Sequence, residues 1–182
     1  MASDQNTATV VMLLDLSAAF DTVDHSKLLQ ILEQEIGIKG TALKWFRSFI
    51  SGRCQRVKIN GFESEEIIIK FGVPQGSVLG PILFNIYIRS IYSSVTSKSF
   101  NIHGFADDHQ VYKSFKPDNE YQVLCTDLPK CFQDIENWMT KHYLQLNPGK
   151  TEIIIFGSKK VLSELEINGC LLYTSPSPRD RS

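Results

Sequence analysis

Apolar and polar positions along this chain change period from segment to segment, and each period predicts an element. A continuous apolar run at residues 10–14 ends on Asp15. Its branched side chains and lack of alternation predict a central strand covered on both faces. A chain that opens almost directly on such a strand is expected to continue a structure begun upstream. Residues 24–36 set Leu28, Ile31, Leu32 and Ile36 on one helical face, with Gly37 as the stop. A second helix is predicted over residues 41–51, capped by Thr41. Arg56-Val57-Lys58-Ile59 then alternates, Asn60-Gly61 is a strong two-residue turn, and residues 66–71 read as the return strand.

The apolar stretch 78–92 is long enough for a buried helix. A second hairpin is expected to pair residues 99–105 with 110–115 and to carry Asp107-Asp108 at its tip. Residues 118–142 place Tyr121, Leu124, Leu128, Phe132, Ile135 and Trp138 at helical spacing, and Pro129 should kink or split that helix. The turn Asn147-Pro148-Gly149 leads to a last strand over 152–156. This mixture predicts an α+β domain, an antiparallel sheet packed against helices.

Composition narrows the class without naming a function. With 182 residues, 42% of them hydrophobic, the chain can build one domain with a real core. Nineteen basic and 20 acidic side chains nearly cancel, so only local clusters can argue for nucleic-acid binding. Cys54, Cys125, Cys131 and Cys170 form no CxxC pair, and reduced thiols in an intracellular protein are expected. No apolar run approaches a membrane span, and the polar start is unlike a signal peptide. Composition shifts abruptly at the end: residues 171–182, rich in Ser, Pro and Arg, read as a disordered or adapter-like tail beyond a domain over 1–170.

Three acids stand out. Asp15 ends an apolar strand, and Asp107-Asp108 follows Phe105-Ala106 at a hairpin tip. Carboxylates at the end of apolar strands are costly to bury unless compensated, and a divalent cation compensates them. Two acids from one strand and one from a neighbour are the donors of a two-metal site. By itself an Asp-Asp pair also suits an exposed turn.

The surrounding residues decide between these readings. Leu13-Leu14-Asp15-Leu16-Ser17-Ala18-Ala19-Phe20-Asp21-Thr22-Val23-Asp24-His25 resembles the first catalytic motif of reverse transcriptases from non-LTR (LINE-type, jockey-like) retrotransposons. Phe71-Gly72-Val73-Pro74-Gln75-Gly76-Ser77-Val78-Leu79-Gly80-Pro81 is similar to that family's nucleotide- and template-binding motif. Gly104-Phe105-Ala106-Asp107-Asp108 resembles its second catalytic motif, with Phe105 where tyrosine is common. Leu144-Gln145-Leu146-Asn147-Pro148-Gly149-Lys150-Thr151-Glu152 resembles its downstream lysine motif. The motifs occur in the family's order and cover most of residues 10–157.

The resemblance implies a polymerase palm and RNA-directed DNA synthesis on an RNA template, from a DNA primer and dNTPs. It implies Asp15 and Asp107 as ligands of two Mg²⁺ ions, with Mn²⁺ as the alternative metal, Asp108 assisting and the Leu16 carbonyl contributing. Phe20 would lie under the incoming sugar and exclude a 2′-hydroxyl, although an aromatic there is equally a packing residue. Gln75 and Gly76 would meet nucleotide and template. Pro-Gln-Gly-Ser is also an ordinary turn into the helix that follows, and Ser77 reads as its cap. Lys150 is a candidate general acid toward pyrophosphate, or a solvated lysine after a turn. Lys44, Arg47, Arg53, Arg56 and Lys58 form a stretch without acids, interleaved with Trp45, Phe46 and Phe49. That strip suits a phosphate backbone, or is a solvated face over an aromatic stripe. His103 and His109 are candidates to face each other across their hairpin, without enough ligands for zinc.

The family also carries fingers before the first motif, a thumb after the last, and commonly an endonuclease. The expectation is therefore weak or absent activity for the chain alone. Two other readings stand beside polymerase: a non-catalytic nucleic-acid-binding remnant, and a palm-fold nucleotide cyclase. The Val-Pro-Gln-Gly motif and the basic strip argue against the cyclase, which needs no template.

Overall fold

The computed structural model describes residues 6–96, 99–147 and 149–165. In chain order its elements are β1 (Ala8–Leu14), α1 (His25–Gln34), α2 (Gly40–Ile50), β2 (Cys54–Gln55), β3 (Lys58–Ile59), β4 (Phe62–Glu63), β5 (Ile67–Ile68), α3 (Leu79–Ile88), α4 (Ile91–Thr96), β6 (Asn101–Phe105), β7 (Asp108–Phe115), α5 (Leu128–Lys141), β8 (Glu152–Phe156) and α6 (Lys159–Glu164). They divide into two compact units. The first comprises Met1–Ser17, Ser90–Met139 and Gln145–Ser182, and the second Ala18–Arg89 and Thr140–Leu144. The tail expected over 171–182 lies outside the described residues.

The first unit is built on a four-stranded antiparallel sheet in the order β6-β7-β1-β8. β1 is an interior strand, as its apolar run predicts. Its burial nevertheless alternates: Ala8, Val10, Met12 and Leu14 are buried, and the residues between them are half-buried. One face is therefore closed and the other partly open, which corrects the expectation of two covered faces. Val10 and Met12 are wholly buried, each worth roughly 1.5–3 kcal/mol of apolar transfer, so the strand end that carries Asp15 rests on a firm support. α4 packs against β6. α5 buries Leu128, Cys131, Ile135, Trp138 and Met139, a stripe at helical spacing. Ahead of it the predicted helix is split: a 3-10 turn at Pro117–Asn119 and a π-helical stretch at Gln122–Asp127 precede Leu128. Pro129 has no N–H and its ring crowds the carbonyl four residues back, and the helix is widened there rather than continued as α.

In the second unit α1 packs on both α2 and α3. The Asp24 carboxylate accepts from Lys27 N at 2.7 Å and caps α1, which ends at Gln34 and leaves Ile36 exposed. α2 begins at Gly40 after Lys39 with no side-chain cap, so Thr41 lies inside the helix and caps nothing. The Asn60-Gly61 turn is present, with Asn60 and Gly61 both at positive φ. Its ladder is shorter than predicted: β3 pairs with β4, and β5 reaches past them to pair with β2. The apolar stretch 78–92 holds two helices, α3 and the start of α4, rather than one. Cys54 and Cys131 are free thiols. Cys125 is disulfide-bonded, which overturns the expectation of reduced thiols throughout.

Candidate active site

Register decides where the acids go. β1 pairs with β7 up to Leu14↔His109, so one step further Asp15 stands opposite Asp108. Side chains alternate along a strand, and Leu14 and His109 are both buried; Asp15 and Asp108 therefore share the partly open face. Asp108 also pairs with Phe105, which leaves Ala106 and Asp107 as the turn of the β6–β7 hairpin. Ala106 sits at φ 56°, a left-handed conformation that its small side chain tolerates at some cost. Three aspartates distant in sequence are thus neighbours at one end of one sheet, and their hard oxygens suit a divalent cation. Their carboxylates are not closed into a cage: among the described residues no three acidic, imidazole or thiol side chains are grouped tightly enough to hold an ion.

The segment that carries Lys150 is tied to the same strand end. Ser17 N donates to Gln145 O at 2.9 Å, Asn147 N donates to Asp15 O at 2.8 Å, and Leu16 bridges to Leu146. Lys150 Nζ lies 3.8 Å from Asp15 Oδ2, in a pair whose side chains are 69% and 34% exposed. Such an exposed pair contributes about 0–1 kcal/mol, so it balances charge without fixing the lysine.

Behind the Asp107 turn lies a feature that the sequence did not reveal. His109 is buried, and its Nδ1 donates to the Asp107 carbonyl at 3.3 Å. Burial pushes its pKa below the ordinary imidazole range, against a smaller opposing effect of that carbonyl. Its ring meets Tyr92 edge-on at 6.3 Å. Gly104 stands opposite in the register. A Cβ there would come within 2.5 Å of His109 Cδ2 and 2.6 Å of Tyr92 Oη, so only glycine fits. His103 pairs with Gln110 instead and is exposed, so the two histidines occupy opposite faces and do not meet.

The second unit holds the other motif residues. Phe20 is half-buried and its ring lies 5.0 Å from that of Phe84, so it packs as well as offering an edge. Exposed Gln75 donates to Asp21 Oδ1 at 2.9 Å, and Gly76 adopts φ 76°. Ser77 Oγ accepts from Gly80 N at 3.0 Å, but it lies one residue ahead of Val78, the N-cap of α3, which has no side-chain cap of its own. Buried His25 donates from Nε2 to the Gly72 carbonyl at 2.8 Å. Gly72 N and Val73 N donate to Val23 O and Phe20 O, each at 2.8 Å. Asp21, Val23 and His25 therefore anchor the Val-Pro-Gln-Gly segment, a structural use of the first motif that spacing alone could not disclose.

The basic strip is less free in space than in sequence. Arg56 pairs with Glu66 and Glu63, and Lys58 Nζ lies 2.9 Å from Glu63, because the hairpin brings acids back alongside. Lys44 and Arg47 are exposed on α2, where Trp45 stacks on Phe49 at 5.4 Å. Trp45 is half exposed and Ile50 is the buried residue of α2, so the aromatics form no core-facing stripe. Arg53 is half-buried, and its Nε makes no hydrogen bond among the described residues.

Residues 1–170 match the family described as reverse transcriptase (RNA-dependent DNA polymerase). The chain is 30% identical over 166 residues to an RNA-directed DNA polymerase from mobile element jockey of Drosophila funebris, covering 87% of this chain and 18% of that protein. It is 28% identical over 152 residues to a retrovirus-related Pol polyprotein from type-1 retrotransposable element R2 of Popillia japonica, covering 78% of this chain and 20% of that protein. It thus spans about a fifth of these relatives. A structure of apo telomerase from Candida tropicalis shares the fold, with a TM-score of 0.61 at 17% identity over 82% of this chain and 31% of the telomerase chain.

Proposed function

Because the chain belongs to the reverse transcriptase (RNA-dependent DNA polymerase) family, we propose that it forms the palm of a retrotransposon polymerase that transfers nucleotides from dNTPs to a primer 3′-hydroxyl on an RNA template. The observation that supports this reading best is the register that sets Asp15 against Asp108 with Asp107 in the adjoining turn. Asp15, Asp107 and Asp108, with the Leu16 carbonyl, would hold two Mg²⁺ ions, or Mn²⁺ in their place. When bound, such ions lower the pKa of an attacking hydroxyl and neutralise charge on departing pyrophosphate.

The chain's own residues supply the rest. β1 ends at Leu14 opposite His109, so Asp15 and Asp108 each directly adjoin a paired residue, a backbone support that would orient the primer end and the α-phosphate. The Lys150 ammonium would give a proton to the leaving oxygen, a role supported by its position 3.8 Å from Asp15 Oδ2. Phe20 selects deoxyribose by bulk, and Gln75 and Gly76 receive the nucleotide and the template. Lys44, Arg47 and Arg53 attract the strand backbone, with Arg56 and Lys58 weakened by their acidic partners.

Primer extension on an RNA template with Mg²⁺, with the chain joined to its flanking polypeptide, tests this assignment. Asp107→Asn keeps the shape and removes one ligand charge, and it should abolish extension. An Asp107→Asn protein that extends as well as its parent would show that the acids have been misassigned.

A further inference from the structure

The hairpin tip that carries Asp107 has little to hold it from outside. Ala106 lies in the left-handed region at φ 56°, a conformation that persists in alanine only where its surroundings maintain it. β6 is an edge strand among the described residues, and Phe105, the last residue before the turn, is 81% exposed. We infer that His109 is a positioning residue of the proposed polymerase centre: from the closed face of the sheet its imidazole holds the peptide between Asp107 and Asp108, and so aims both carboxylates. The consequence for nucleotide transfer rests on the polymerase reading, while the contact itself does not.

The contact has a direction. A carbonyl only accepts, so the 3.3 Å bond between His109 Nδ1 and Asp107 O requires the ring proton on Nδ1. That carbonyl belongs to the planar unit joining Asp107 to Asp108, and fixing the plane constrains the backbone from which both side chains leave. The opposite edge of the ring is seated by its neighbours. A Cβ on Gly104, its partner across the hairpin, would fall 2.5 Å from Cδ2 and 2.6 Å from Nε2, so the imidazole fills the space a side chain at 104 would take. Tyr92 meets the ring edge-on from α4, and Leu14, opposite on β1, is buried as well. A ring packed in this way transmits its hold to the turn instead of following the turn's motion.

His109 does not itself touch the reacting groups. Asp15 and Asp108 share the partly open face, whereas His109 is 2% exposed on the closed one, so the backbone of the sheet stands between the ring and any nucleotide. Its effect passes through Asp107. The competing explanation is packing alone, under which any ring of similar size would serve. A positioning role instead needs a hydrogen-bond donor at the Nδ1 position. Groups that orient metal-binding side chains from behind change metal affinity or rate by roughly 10–100-fold when removed.

Two variants separate these explanations. His109→Phe keeps a ring without the donor, and His109→Asn keeps an amide N–H near the Nδ1 position without the ring. Both should lower the urea midpoint, so stability does not distinguish them. Primer extension, with the chain joined to its flanking polypeptide, should distinguish them. His109→Phe should raise the Mg²⁺ concentration for half-maximal rate about tenfold or more and leave the KM for primer–template within about twofold, and His109→Asn should stay within about threefold of the parent. Mn²⁺ binding to the same proteins without substrate, followed by electron paramagnetic resonance, should rank them in the same order. In the unaltered chain, ¹⁵N NMR of the imidazole at neutral pH should place the His109 proton on Nδ1, a readout independent of variant folding and of activity. A proton on Nε2, a parental metal response in His109→Phe, or equal losses in the two variants would overturn the positioning role. Asp107→Asn is the separate arm. Parental extension by that variant would sink the polymerase reading, whereas its loss beside a parental His109→Phe would sink only the role of His109.

Discussion

Gly104→Ala tests whether the buried histidine behind the Asp107 turn constrains the hairpin that carries Asp107 and Asp108. The added methyl would lie 2.5 Å from His109 Cδ2, 2.6 Å from His109 Nε2 and 2.6 Å from Tyr92 Oη, well inside van der Waals contact. His109 is 2% exposed and cannot swing outward, and its Nδ1 is committed to the Asp107 carbonyl. Relief must come from β6, an edge strand and so free to move on one side. Overpacking of this kind costs about 1–3 kcal/mol. The edge position places the expected loss near the middle, about 2 kcal/mol. For a chain of this size that is a fall of roughly 4–8 °C in Tm. Urea denaturation of parent, Gly104→Ala, His109→Ala and the double variant separates clash from glycine-specific backbone effects. In the His109→Ala background the alanine at 104 should cost far less than in the parent. If Gly104→Ala is as stable as the parent, or its cost persists without the imidazole, the packing argument is wrong.

Two further effects should be measurable. Asp24→Ala removes the carboxylate that caps α1 at 2.7 Å, and it should destabilise the chain by about 1 kcal/mol in the same denaturation assay. Tyr87 is fully buried, its hydroxyl donates to His142 O at 2.6 Å, and burial pushes its pKa up to about 12. The folded chain then keeps a proton that the unfolded chain loses near pH 10, so this contribution is complete below about pH 10 and disappears as pH rises toward 12. Tyr87→Phe should cost about 1 kcal/mol at neutral pH and flatten the alkaline decline, read from denaturation midpoints across that range.

Local patterning alone determined a good deal here. The apolar run before Asp15, the 3.6-residue spacing in α1 and α5, and Asn60-Gly61 each specify an element through contacts a few residues apart. Those signals survive because propensity and periodicity act over single turns. The motifs also singled out Asp15, Asp107 and Asp108, which the strand register brings to one end of the sheet. Short-range signals failed where a neighbour came from elsewhere. The sequence 44–58 contains no acid, yet Glu63 and Glu66 neutralise its end once the hairpin closes. Thr41 resembles a cap, but α2 starts ahead of it.

Only the tertiary structure decided which long-range partners meet. Asp15 reaches Asp108 through the β1–β7 register, and a slip of one residue would have turned the two carboxylates to opposite faces. Gly104 is a glycine because His109 and Tyr92 fill the space beside it, and His25 matters because Gly72 returns to it. Such pairings depend on chain closure over dozens of residues, where the energy of a match is felt only after the ends have met. No window of sequence shorter than that closure contains the information.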